Sequence, residues 1–188
     1  SGKLKVKIEE VPESFKEDKF LEIEGQQAFE FKEEEIKSHE EDQELAILNL
    51  ISVDKSMFDN DQVYGFLTNY GAILKNNYFS YQDINGNEIF RVANALNPGT
   101  FDNDTKTFAI VAASNLSLTA DPVNAVKQMI EFSVSFSEKF HASICDEERA
   151  PITKQMISHI ESRAQDIARI KQVPVSYTHL TLPTILRV

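Results

Sequence analysis

The sequence predicts an α+β fold: an antiparallel sheet with helices packed on one face. Three observations predict it. First, Asn85-Gly86 sits between two runs of strand character, Tyr78–Asp83 and Asn87–Asn94, and that dipeptide takes the positive φ angles that hairpin turns need. Second, other apolar runs, at Leu45–Ile51, Ala109–Ala113 and Ala142–Cys145, are too short for typical helices. Third, the remaining apolar residues recur at helical spacing behind recognisable start signals. Strands joined by hairpins pair antiparallel, and such a sheet can leave one face to solvent or to a partner.

The strand at Leu45–Ile51 is apolar but for Asn49 and is preceded by acidic residues. Asp59–Tyr70 reads as a helix, with Val63, Phe66, Leu67 and Tyr70 on one face, Asp59 or Asn60 as cap and Gly71 at its end. After Ala109–Ala113, Leu116 and Leu118 alternate with polar residues through Ser114–Ala120, so one or two strands fit there. Asp121-Pro122 places a cap before a proline at the first helical position. Val126, Met129, Ile130, Ser133, Phe136 and Phe140 follow at helical spacing. Phe132, Val134 and Phe136 also alternate as a strand would, but the start signal and the length of the pattern favour the helix. Thr153 caps a last helix carrying Met156, Ile157, Ile160, Ala164, Ile167 and Ala168.

The two ends differ from this middle. Residues 1–43 hold 14 Asp or Glu against 7 Lys and read as an acidic, largely disordered linker with room for a weak strand or two. Residues 173–188 are rich in Thr, Pro and Leu, lack acidic residues, and are expected to be a non-native tail. The 188 residues, 41% hydrophobic, therefore suit a single domain at 44–172 with additions.

Composition excludes several functions. A net charge of −11 does not suit a basic surface for nucleic acid. No run approaches the roughly 20 apolar residues of a membrane span, and no signal segment opens the chain, so any membrane anchor is expected outside this sequence. Cys145 is the only cysteine, which excludes an intramolecular disulfide and a cysteine-rich zinc site and fits a cytosolic setting. His39, His141, His159 and His179 have no partner at metal-ligand spacing. Asp83-Ile84-Asn85-Gly86-Asn87-Glu88 has the oxygen-rich look of a calcium loop but lacks the closing bidentate Glu about 12 residues along. There is no Gly-x-Ser-x-Gly, phosphate loop, His-Glu-x-x-His or Cys-x-x-Cys. No cofactor and no metal are expected, and carboxylate acid–base chemistry is the remaining enzymatic alternative.

One stretch asks for more. In Phe90-Arg-Val-Ala-Asn-Ala-Leu-Asn-Pro-Gly-Thr-Phe-Asp102 a strand ends at the turn chemistry of Asn97-Pro98-Gly99. Ala93 and Ala95 make a stripe of small residues. They read either as packing at a strand end or as a surface kept shallow for something to lie against.

This stretch resembles the carboxy-terminal, FtsZ-binding domain family of the bacterial cell-division protein ZipA. The strand at Leu45–Ile51, the helices at Asp59–Gly71 and Asp121–Phe140, and the turn Asp146–Gln155 into the last helix follow the same order, so the resemblance spans about residues 44–172. It implies an antiparallel sheet of about six strands with three helices on one face, the other face exposed as a shallow groove. It also implies a function without chemistry: a divisome adaptor that binds the carboxy-terminal tail of FtsZ and links the division ring to the inner membrane during septation. The location implied is the cytoplasmic face of that membrane, with an amino-terminal anchor outside this chain.

Carried over by position, the groove is lined by Leu45, Ile47, Asn77, Ala93, Ala95, Asn97, Leu116 and Leu118. Asn77 and Ala95 stand where bulkier apolar residues are typical, and Asn97 where a lysine is common, so the tail is expected to bind weakly, at about 0.8 kcal/mol per lost methylene contact, or through a different set of anchors. The alternative reading is a diverged domain of the same fold that takes another peptide or a small ligand.

Overall fold

The computed structural model describes residues 44–102 and 104–171. The acidic linker expected at 1–43 and the tail expected at 173–188 lie outside the described residues.

The elements run in the order β1 (Leu45–Ser52), α1 (Asn60–Tyr70), β2 (Ile73–Lys75), β3 (Tyr78–Gln82), β4 (Glu88–Asn94), β5 (Ala109–Asn115), α2 (Pro122–Phe140), β6 (Ala142–Cys145) and α3 (Lys154–Lys171). The described strands form one sheet in the order β2-β3-β4-β5-β1-β6, and every pairing is antiparallel. The α+β expectation holds, with six strands and three helices among the described residues.

Local chemistry accounts for the elements. The Asp59 carboxylate accepts from the Gln62 N–H at 3.1 Å, and Gly71 closes α1 at φ 106°, a conformation that suits a residue without Cβ. The Asp121 carboxylate accepts from the Asn124 N–H at 3.2 Å, ahead of Pro122. The competition between helix and strand around Phe132 resolves to helix: Phe132 and Phe136 are buried while Val134, between them, is exposed. Buried Ser133 donates to the Met129 carbonyl at 2.7 Å, so the core-facing hydroxyl is satisfied. Thr153 accepts from the Met156 N–H at 3.1 Å to start α3.

Turns set the strand lengths. Between β3 and β4, the Gly86 N–H donates to the Asp83 carbonyl at 3.0 Å and Gly86 takes φ 84°. The Asp83 carboxylate accepts from the N–H groups of Asn85 and Asn87, each at 2.9 Å. A second, unexpected hairpin joins β2 to β3 through Asn76 and Asn77, at φ 46° and 70°. Asparagine tolerates this region better than most residues, because its side chain bonds the local backbone.

The region after Ala109 is one strand rather than two. β5 ends at Asn115, whose carbonyl accepts from the N–H groups of Leu118 and Thr119, at 3.1 and 3.0 Å, and starts a turn.

Strand side chains alternate between two clusters. Ala46, Leu48 and Leu50 of β1, Phe90 and Val92 of β4, and Ile110 and Ala112 of β5 face the helices. There they meet Val63 and Leu67 of α1, Met129, Phe132 and Phe136 of α2, and Ala164 of α3. Aromatic rings knit this layer: Phe132 lies 5.4 Å from Phe90, 5.2 Å from Tyr70 and 5.9 Å from Phe66, centroid to centroid. Each large side chain so buried contributes about 1.5–3 kcal/mol.

Candidate recognition face

The other face of the sheet is built from the alternate residues of the same strands. Antiparallel register aligns them in rows. Cys145, Asn49, Val111 and Ala93 form one row across β6, β1, β5 and β4. Ile47, Ala113, Arg91 and Ser80 form the next, across β1, β5, β4 and β3. Ile51 pairs with Ala109 in a third, to which Ala95 is joined by an N–H donated to the Ala109 carbonyl at 3.0 Å. With neighbouring strands about 4.8 Å apart, the four-strand rows are about 15 Å wide.

The floor is small and apolar. Ala93, Ala95, Ala109 and Ala113 surround Val111, while Ile47, Ile51, Leu96 and Phe108 give relief, and Leu45 and Tyr78 pack against the margin. The stripe at Ala93 and Ala95 is therefore part of a wider alanine surface spanning two strands.

Polar groups sit at defined places on this surface. Asn49, the one polar residue inside the β1 run, is buried and donates through Nδ2 to the Asp146 carbonyl at 2.9 Å. Arg91 is 6% exposed. Its Nε donates to Glu88 Oε2 at 2.7 Å, and its guanidinium lies over the Tyr78 ring at 4.3 Å. The other Glu88 oxygen accepts from the Ser80 hydroxyl at 2.8 Å. Burial pushes the Tyr78 hydroxyl pKa up, with the Arg91 charge opposing it. At the far rim, the Lys55 ammonium lies 5.6 Å from the Phe108 ring centroid. Among the described residues, Lys55 and the Glu88-paired Arg91 thus flank this face, within a strongly acidic chain.

The residues expected to line a groove divide into three groups. Ile47, Ala93 and Ala95 come together on this face, with Leu45 at its edge. Asn97 and Asn77 stand exposed in the turns beside it; the Asn77 carbonyl accepts from the Phe101 N–H at 2.7 Å and so ties the β2–β3 turn to the segment after Gly99. Leu116 is a correction. It is fully buried in the helix-side cluster, on the opposite face of the sheet, because the chain turns after Asn115 and breaks the strand alternation. Leu118 lies half-buried in that same turn.

A second correction concerns exposure. The face was expected open, yet Ile47 is 7% exposed, Val111 1% and Ala93 0%. The turn at its end is closed by the Gly99 N–H, which donates to the Leu96 carbonyl at 2.7 Å. Beside Leu45 and Ile47 a cleft of about 420 Å³ opens towards Ile152, Met156 and Ile160, with the acidic turn Asp146–Glu148 along its wall. The recognition face and this cleft are contiguous through β1.

The profile described as "ZipA, C-terminal FtsZ-binding domain" matches residues 44–163. The chain belongs to this family. Residues 44–163 take in every described strand, α1, α2 and the first half of α3. Among ZipA relatives, the cell division protein ZipA of Colwellia psychrerythraea is 30% identical over 92 residues, 47% of this chain and 24% of that protein. ZipA of Pseudomonas aeruginosa is 29% identical over 139 residues, 67% of this chain and 46% of that protein. ZipA of Azotobacter vinelandii is 32% identical over 89 residues, 45% of this chain and 31% of that protein. The chain spans less than half the length of these ZipA relatives. No described helix is long and apolar enough to cross a membrane.

Proposed function

We propose that this chain binds the carboxy-terminal tail of FtsZ on the alanine-floored face of its sheet, and that through this contact its parent protein links the division ring to the inner membrane. The observation that carries the reading is the second apolar face itself. A sheet already covered by helices on one side needs no further core, yet Ile47, Val111, Ala93, Ala95 and Phe108 make a second contiguous apolar surface. Membership of an FtsZ-binding family supplies the partner.

The chemistry suits a short peptide. Four alanines let a backbone approach the sheet closely, and Ile47 and Ile51 offer apolar contact. An extended or helical segment ordering on such a surface gives modest affinity at one site. Many tails along a filament compensate by multivalency at a membrane, to which the parent protein would be held by an anchor outside this chain. The reading assigns the domain recognition and no catalysis.

The test is a titration of the whole chain against a fluorescently labelled peptide of the FtsZ carboxy terminus. Saturable binding is expected, with Ala93→Glu weakening it at least tenfold. Absence of saturation at millimolar protein would overturn the reading.

A further inference from the structure

β6 is too short to cover β1. Its ladder runs only from the Ser52–Ala142 pair to the Asn49–Cys145 pair, while β1 begins at Leu45. Backbone bonds show which way each residue of β1 points. The Ser52 N–H donates to the Phe108 carbonyl on the β5 side, and the Glu44 carbonyl accepts from the Leu116 N–H on that same side, each at 2.8 Å. The Val53 N–H donates to the His141 carbonyl on the β6 side at 3.0 Å. Direction alternates along a strand, so Leu45 and Ile47 turn their N–H and C=O groups to the β6 side, beyond its last pair. The chain after β6 curls away from them. The Asp146 N–H donates to the Ala150 carbonyl at 2.8 Å, and the Ile152 N–H to the Ile144 carbonyl at 3.0 Å. Among the described residues no strand completes this edge. The cleft of about 420 Å³ lies against it.

We propose that the open edge of β1 at Leu45–Ile47 is a strand-addition site for an extended partner segment in which lysine or arginine alternates with aliphatic residues. An open edge supplies main-chain bonds, and the walls beside it select side chains, which alternate between the two sides of an added strand. On the helix side the wall is apolar: Ile152 and Ile160, at the margin of the helix-side cluster, with Met156. On the recognition-face side stands the acidic turn, held there by the Asn49 side chain that donates to the Asp146 carbonyl. The Asp146 carboxylate is used within that turn, accepting from the N–H groups of Glu148 and Ala150, each at 2.9 Å. Glu147 and Glu148 are exposed and enter no ion pair among the described residues, so they carry the selectivity for a cation. Arg163, also on the cleft, is already bonded to Glu44 and does not cancel them.

The segment required is short. At about 3.3 Å per residue, three or four residues follow the edge from Glu44 to Ile47. The site uses main-chain groups at the margin of the sheet rather than its alanine floor, so it does not depend on FtsZ binding to that floor, and the domain can hold two segments at once.

The test is an amide NMR titration of the full chain with the capped peptide acetyl-Lys-Val-Lys-Val-Lys-amide. Expected are saturable shifts at Leu45, Ile47, Glu147 and Glu148, with slowed exchange of the Ile47 amide. Glu147→Lys/Glu148→Lys, two exposed positions, should weaken binding at least tenfold, and so should N-methylation of the interior amides of the peptide. Ala93→Glu, on the alanine floor, should leave these shifts in place, which separates this site from the proposed FtsZ site. No saturation at millimolar peptide would overturn the proposal. So would equal binding of the N-methylated peptide or of acetyl-Glu-Val-Glu-Val-Glu-amide, or shifts centred on Ala93, Ala109 and Ala113. An Ile47 amide signal that moves on dilution of the protein alone would assign the edge to a second copy of the chain and equally overturn it.

Discussion

The two faces of the sheet draw on the same strands and differ in every other respect. The helix side is filled with large groups, Phe90, Phe132 and Phe136 among them, and its rings interlock. The other side is floored with alanine, framed by Ile47, Ile51 and Phe108, and interrupted by Asn49 and Arg91. Large interlocking side chains fix one partner permanently, since any change leaves a cavity or a clash. A shallow floor with charges at its rim can exchange partners. The two sides are equally buried, yet one is filled by interlocking rings and the other by small side chains.

Adjacent residues of β5 offer the sharpest way to break this comparison. Ala112 and Ala113 are both 0% exposed and face opposite sides. Ala112→Glu puts an unpaired charge into the permanent core and is expected to cost more than about 4 kcal/mol, or to prevent folding. Ala113→Glu falls on the alanine-floored face proposed to take a peptide, and about 1–2 kcal/mol is expected on the same scale. Urea unfolding of the two variants decides it. Equal costs would mean that the second face is ordinary core.

A smaller effect concerns the rim. Asp54 is exposed and accepts hydrogen bonds from the Ser56 hydroxyl at 2.6 Å, the Ser56 N–H at 3.0 Å and the Ser52 hydroxyl at 3.0 Å. The Ser56 bonds foremost, with that from Ser52, lower its pKa from 3.8 to about 2. The folded value lies below the unfolded one, so the loop is fully supported above pH 3.8 and loses that support as pH falls through about 2. In an acid titration followed by NMR, the signals of Lys55 and Phe108 on the recognition-face rim should move with a midpoint near 2, while Phe132 on the helix side should not move with them.

Much of this was legible in the sequence because periodicity and caps report local physics. Asp59, Asp121 and Thr153 all cap the helices they announced. The alternation of β1 separates Ile47 from Leu48 as period two demands. The failures share a cause, since they fall where the chain turns. β2 is three exposed residues closed by Asn76 and Asn77 at positive φ, a pairing that leaves no apolar pattern. Leu116 followed an alternation that the turn after Asn115 had already ended. Ile51, Val111, Ala113 and Phe108 were absent from the expected site. The first three share the strand parity of Ile47 and Ala93, and parity alone would have found them. Arg91 carried no signal, because burial of a charge depends on partners, here Glu88 and Tyr78, that only the pairing of β3 with β4 reveals.

The most direct measurement is an alanine-methyl NMR titration of the full chain with the FtsZ carboxy-terminal peptide. The expected result is saturable shifts at Ala93, Ala95, Ala109 and Ala113, with Ala46, Ala112 and Ala164 on the helix side unmoved. Saturable shifts centred on the helix-side methyls, or none at millimolar peptide, would contradict the assignment of the alanine-floored face as the binding site.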